Sequence, residues 1–345
     1  MVAAAEVGKA VSAPEVKPGT EGYGKLTWLA ACAMFAVVPL VNADTYCLTV
    51  AGLGGEPAYE QRFREQAATL AEAARKLTGD PAHALLLSGE HADRDSIRRE
   101  LKALAAKLRG EDEVIVTLIG HGSFDGDEYR FNIPGPDITA SELLVLFDQL
   151  PAGNQLIVNA TSASGGAIER WQHGNRIVIS ATKSGGERNA TRFAEFWVQA
   201  LSSPGADLNK DEIVTAKEAF DYASRKVAEV FKADVALATE HARLEGRNAE
   251  RFQVARFGAA ARVTANPELN EMFAQRVRIE RDIEAVKARK AALTEDEYYN
   301  QLELVLVRLA LLQRNIDSKS AALEGDAARS GPGSRGDARG GEQPR

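Results

Sequence analysis

The chain has 345 residues, enough to bury a sizeable core in one domain or two. With 45% hydrophobic and 26% charged residues, its body is globular rather than disordered. A net charge of −7 with no basic, aromatic-interleaved stripe excludes a nucleic-acid footprint, and two cysteines, Cys32 and Cys47, exclude a disulfide framework and a thiolate zinc site.

At the N-terminus, Lys25 precedes the apolar run 26–41, "LTWLAACAMFAVVPLV", which ends in Val41-Asn42-Ala43. A charged flank, an apolar centre and a small-residue site make a secretory signal with cleavage after Ala43 and a periplasmic or secreted product. The run is short for a bilayer span of about 20 residues. An uncleaved signal anchor is the alternative, because the leader before Lys25 is long. Cys47, inside "YCLTVAGLGG", reads as a small strand residue and not as a reactive thiol.

From 46 to about 200, short β-rich runs alternate with helical patterns. The strands are 46–52, 83–89, 113–122, 128–133, 155–161 and 175–182, and helices are expected at 57–77, 93–109 and 139–149. The main runs lack period-two alternation, so both faces of their sheet lie under helices, and ligand chemistry falls at the carboxyl ends of parallel strands. A helix at 190–202 is followed by a loop and a strong helix ending near 231. Beyond 266, Met272, Ile279, Ile283, Val286 and Leu293 follow three/four spacing. After Thr294 and Glu297, which form a capping box, Tyr298, Leu302, Val305, Leu309, Leu312, Ile316 and Leu323 continue it. This is an antiparallel helical hairpin over 267–323. The extra apolar residues Leu304, Leu306 and Leu311 suit it to self-association or docking. The Gly/Arg/Pro-rich remainder, 324–345, reads as a disordered tail.

Two strand ends carry chemistry. "LIGHGS" (118–123) delivers His121 and Gly122 to the sheet edge, and "QLIVNATSASGG" (155–166) delivers Thr161, Ser162 and Ser164 beside it. A lone histidine is more often a hydrogen-bonded surface or core residue, but the unbroken apolar strand before His121 favours a site. A rival reading takes Ser164 as the nucleophile of an α/β-hydrolase elbow in the order Ser164, Asp207, His241. The first glycine of that motif is replaced by Ser162, and no long helix pattern begins at Ala167. The second pair, His173-Gly174, lacks a preceding strand and reads as a turn.

His-Gly after one strand and a small-residue Ser-Gly turn after the next resemble the caspase-like cysteine peptidases, and within them the legumain-type C13 branch. The second strand of that branch ends in Ala-Cys-x-Ser-Gly, against which Thr161-Ser162-Ala163-Ser164-Gly165 sets Ser162 in the place of the catalytic cysteine. "GLGGEPAYEQRF" is similar to the first active-site loop, with Arg62 as a substrate-binding residue. "IVISATKSGGERNATRF" is similar to the next strand and its pocket loop, with Thr182 and Ser184 against substrate. The resemblance spans about 45–240. It implies a caspase-like three-layer α/β/α sandwich with a mostly parallel sheet over 44–262. It also implies a catalytic dyad of His121 and Ser162, with the N–H groups of Gly122 and Ser162 as an oxyanion hole and no required cofactor.

The departure from that pattern decides the functional expectation. A thiol with a pKa near 8.5 is partly ionised at neutral pH and strongly nucleophilic, whereas a serine hydroxyl needs a base in contact that is itself oriented by a carboxylate. Asp125, Asp127 and Glu128 follow His121, but the sequence does not place any of them behind its ring. The resemblance therefore implies a peptidase homologue, weak or inactive, that binds a peptide or protein partner. The alternative is a working serine-variant peptidase or amidohydrolase.

In "DLNKDEIVTAKE" (207–218), Asp207, Asn209, Asp211, Thr215 and Glu218 fall at positions 1, 3, 5, 9 and 12 of a calcium loop, with the Ile213 carbonyl at position 7. Glu212 stands where the sharp turn wants glycine. A structural calcium ion and a plain acidic helix cap are the two readings.

Overall fold

The computed structural model describes residues 43–258, 260–261 and 267–329. The expected export signal lies outside them. Strand β1 (Thr45–Ala51) leads to helix α1 (Pro57–Thr78), β2 (Ala84–Leu87), α2 (Arg94–Lys107) and β3 (Glu113–Gly120). A small antiparallel sheet follows, made of β4 (Gly122–Phe124), β5 (Tyr129–Phe131) and β6 (Ile138–Thr139). Next come α3 (Ala140–Phe147), β7 (Asn154–Thr161), the short α4 (Ile168–Trp171), β8 (Arg176–Ser180) and α5 (Phe193–Ser202). Strand β9 (Ile213–Thr215), α6 (Ala216–Ala233), β10 (Arg243–Glu245) and β11 (Gln253–Arg256) complete the body. Helices α7 (Pro267–Ala288) and α8 (Glu295–Arg329) follow it.

The main sheet has six strands in the order β10-β8-β7-β3-β1-β2, all parallel except the edge strand β10. Strand side chains alternate between faces, and here both faces are apolar, which is why the runs show no period of two. Cys47, Ile115, Leu156 and Ile177 meet α1, α5 and α6 on one side. Leu48, Val116, Ile157 and Val178 meet α2, α3 and α4 on the other. The result is the expected three-layer α/β/α sandwich. Cys47 is buried, and burial pushes its thiol up to about 12, so it is a packing residue.

Helix starts follow local chemistry. Pro57 opens α1, the Asp93 carboxylate accepts from Ser96 N–H at α2, and Thr139 with Glu142 boxes α3. At α8 the expected box is present, with Thr294 N–H donating to Glu297 Oε2 at 3.0 Å and Glu297 N–H to Thr294 Oγ1 at 3.3 Å. Every residue assigned to the hairpin seam joins one apolar cluster, in which Ile279, Ile283, Val286, Tyr298, Val305, Leu312 and Ile316 are buried. Side-chain pairs Glu268–Lys319, Arg276–Gln313 and Asp282–Arg308 run in opposite senses along α7 and α8, as antiparallel helices require. Helix α8 runs to Arg329, past the expected end at 323, and the tail beyond it lies outside the described residues. Ile213 and Ala260 belong to the hairpin cluster, so the hairpin packs onto the body.

The N-terminus of α5 is capped from outside by Glu240, which is 4% exposed and accepts Arg192 N–H at 2.7 Å. Burial raises its carboxyl to about 7, opposed by hydrogen bonds from the Arg192 and Phe193 backbone and by the Arg192 charge, and aided by the Glu187 charge. The folded chain therefore holds this proton more tightly than the unfolded chain, and stability falls as pH rises from about 4.5 to about 7. Glu240→Gln should remove this slope. Denaturant melts of both chains across that window should diverge with rising pH by up to roughly 3 kcal/mol in favour of the variant.

Candidate functional site

The pairing of β3 with β7 sets Gly120 opposite Thr161, so the chain's next residues, His121 and Ser162, leave the sheet side by side. Ser162 is 2% exposed, and its Oγ lies 3.5 Å from His121 Nδ1. The N–H of Gly122 donates to that same Oγ at 3.2 Å. Gly122 is required there, because a Cβ would stand 2.5 Å from the Tyr129 ring and 2.6 Å from the Ser162 carbonyl. Ala163 completes the turn in the left-handed region at φ 56°, strain that its N–H offsets by donating to the Glu187 carbonyl at 2.8 Å.

Helix α1 builds the wall behind the imidazole. Tyr59 and Phe63, one turn apart, meet the His121 ring edge-on at 5.0 and 5.1 Å. Glu60 Oε2 accepts Gly54 N–H at 2.8 Å, and the Gly54 backbone in turn hydrogen-bonds the His121 ring. The Arg62 guanidinium lies 4.4 Å over the Tyr59 ring. Burial is the main cause that lowers the His121 pKa below the usual histidine range, and the Arg62 charge adds to it. The Gly54 hydrogen bond and the Glu56 charge oppose it. This shift favours the neutral ring, and Nδ1 faces the serine Oγ.

No carboxylate takes the orienting place among the acids that follow His121. Asp125 is tied to Arg130 at 2.6 Å and to the N–H groups of Asp127 and Glu128, which hold its carboxyl well below the usual range. Glu128 receives Ser141 and Arg170, and the Asp127 carbonyl also accepts from Arg170.

The neighbouring small residues are structural. Thr161 Oγ1 joins the Tyr129 hydroxyl at 2.6 Å and Asn159 Oδ1 at 2.8 Å in a buried network, where burial raises the Tyr129 pKa. Ser164 Oγ meets Thr182 Oγ1 at 3.2 Å and accepts Thr182 N–H at 3.1 Å. Thr182 Oγ1 accepts Gly165 N–H at 2.8 Å. Thr182, expected against substrate, is instead closed off, whereas Ser184 is exposed and accepts Gly186 N–H at 3.3 Å. The Ser164–Asp207–His241 order is not assembled. Asp207 binds backbone N–H groups of its own loop, and His241 Nδ1 meets Glu187 Oε1 at 2.5 Å. That Glu187–His241 pair, which also receives Lys183 N–H, pins the 183–187 loop against Ala163. Sequence reasoning missed it, because its members lie 54 residues apart. The Tyr59/Phe63 wall was missed too, although its aromatic i,i+4 spacing is a signal that could have found it. His173 closes the expected turn, its carbonyl accepting Arg176 N–H at 3.0 Å.

In the 207–218 loop, Lys210 and Glu212 lie in the left-handed region at φ 60° and 64°. Its oxygens are otherwise engaged. Asp207 accepts the N–H groups of Asp211 and Glu212, and Asn209 Oδ1 accepts that of Asp211. Glu218 caps Thr215. Ile213 is a strand residue whose side chain enters the hairpin cluster. Arg276 of α7, 4% exposed, sets its guanidinium 2.9 Å from Asp211 Oδ2 and donates to the Asp211 carbonyl at 2.9 Å. Lys210 Nζ donates to the Asp207 carbonyl at 3.0 Å. Two cations of the chain, Lys210 and Arg276, thus occupy the Asp207 carbonyl and the Asp211 carboxylate in this arrangement.

No protein-family model matches the sequence, and no curated protein matches it in a sequence search. Among solved structures the chain is similar to caspase-1 from Spodoptera frugiperda, at 12% identity and a TM-score of 0.42 over 59% of this chain and 86% of that one. It is also similar to a structural-genomics protein from Geobacter sulfurreducens, at 10% identity and a TM-score of 0.39 over 59% and 92%. At such identities and scores neither likeness assigns an activity.

Removing the hairpin's cation should expose the role of the loop. Arg276→Leu leaves Asp211 without its partner and should cost roughly 3 kcal/mol of stability in a denaturant melt. In the wild-type chain, neither a chelator nor added calcium should move the melting temperature. A chelator-induced drop would restore the calcium reading.

Proposed function

We propose that the chain is a legumain-like, C13-type homologue of caspase-like fold, acting outside the cytoplasm, whose cleft binds a peptide or protein segment with little or no hydrolysis. The observation that supports this is the hydrogen bond from Gly122 N–H to Ser162 Oγ. An oxyanion donor has to point at the place where the substrate's oxygen becomes charged, and here it points at the nucleophile. The remaining activation falls to His121, whose Nδ1 stands 3.5 Å from Ser162 Oγ, longer than the about 2.6–3.2 Å of a general-base contact in the reacting complex. A backbone group orients its ring, whereas a serine triad uses a carboxylate to stabilise the imidazolium as it forms. A general base in contact contributes roughly 10²- to 10⁴-fold, and a hydroxyl depends on it far more than a thiol does.

One observation favours the opposing reading of a working serine dyad. Burial lowers the His121 pKa, which favours the neutral ring a base requires, and its Nδ1 faces Ser162.

Wild-type protein treated with a fluorophosphonate probe should stay unlabelled. Ser162→Cys should gain thiol-directed labelling at position 162, mapped by mass spectrometry, and lose most of it when His121→Ala is added. Cys47 will not compete, since its thiol is buried and held protonated. Wild-type labelling that disappears in both Ser162→Ala and His121→Ala would establish the serine hydrolase instead.

A further inference from the structure

Helix α8 is apolar on two opposite faces. One, with Tyr298, Val305, Leu312 and Ile316, is buried in the hairpin. The other carries Tyr299, Leu304, Leu306, Val307 and Leu311, which are between 45 and 68% exposed. Leu304, Val307 and Leu311 recur at three/four spacing, a second seam of the kind that packs another helix. Tyr299, Leu306 and Ala310 line a shallow depression beside it. At 35 residues, α8 is about 50 Å long, ample for an interface of standard size.

The charges along this face name the occupant. Near this face, exposed Asp296 and Glu303 lie before Val307 and exposed Arg314 lies beyond it, followed by Asp317, while Arg308 turns to Asp282 of α7. Two parallel copies would set acid on acid and base on base. Two antiparallel copies bring each Glu303 toward the other's Arg314. We propose that α8 pairs antiparallel with α8 of a second copy of this chain, making an isologous two-fold interface and a four-helix bundle with the two α7 helices. Centred on Val307, this register sets Leu304 over the small Ala310 and Asn300 beside Arg314. Glu303 lies opposite Leu311, one turn from Arg314.

Sedimentation of the full chain should show a dimer. Leu304→Glu and Val307→Glu should each weaken it about thirtyfold or more, with helicity and melting of the monomer unchanged, because both side chains are exposed. Glu303→Arg should weaken self-pairing, and mixing it with an Arg314→Glu chain should restore dimers, a rescue that parallel pairing does not give. A monomeric wild-type chain at every concentration overturns the proposal. So does a dimer indifferent to Leu304→Glu and Val307→Glu.

Discussion

The parallel pairing of β3 with β7 is the constraint on which the site depends. Eight consecutive rungs, from Glu113 opposite Asn154 to Gly120 opposite Thr161, fix where each strand stops. A slip of one residue would turn every side chain of one strand to the opposite face, exchanging the sets that meet α1 and α2. Both faces are buried, so the register is held from two sides at once. His121 and Ser162 meet because the core leaves no other alignment.

Around that meeting point the turns are committed to holding shape. Thr161 closes its hydroxyl on Tyr129 and Asn159, Ser164 and Thr182 close theirs on one another and on nearby backbone, and Glu187 ties the next loop to His241. Buried polar groups of this kind are costly unless satisfied, and satisfying them makes the loops rigid. Rigidity is what the proposed binding of a segment at this sheet edge would use. It gives a hydroxyl nothing in place of a close, carboxylate-oriented base.

The hairpin is joined to the body by charge as well as by packing. Arg276 reaches from α7 into the 207–218 loop and neutralises Asp211, while Ile213 and Ala260 enter the apolar cluster of α7 and α8. A loop with the residue pattern of a metal site thus serves as the socket for a neighbouring helix. The guanidinium supplies a positive charge there, with a planar donor geometry that matches carboxylate and carbonyl together.

Sequence alone determined the elements whose signal is local. Apolar runs gave the parallel strands, three/four spacing gave the hairpin seam, and Thr-x-x-Glu gave the α8 cap. The arrival of His121 and Ser162 at one sheet edge was also legible, because strand ends follow from strand limits. Three-residue strands such as β9 and β10 were not, since so few residues carry no period. Tertiary structure alone decided the partners. It turned Gly122 N–H toward Ser162, buried Thr182, sent Asp125 to Arg130 and brought Arg276 to Asp211 across 65 residues. A residue type states what a group can bind. The packing of distant segments decides which of its candidates lies within 3 Å, and no spacing along the chain encodes that distance.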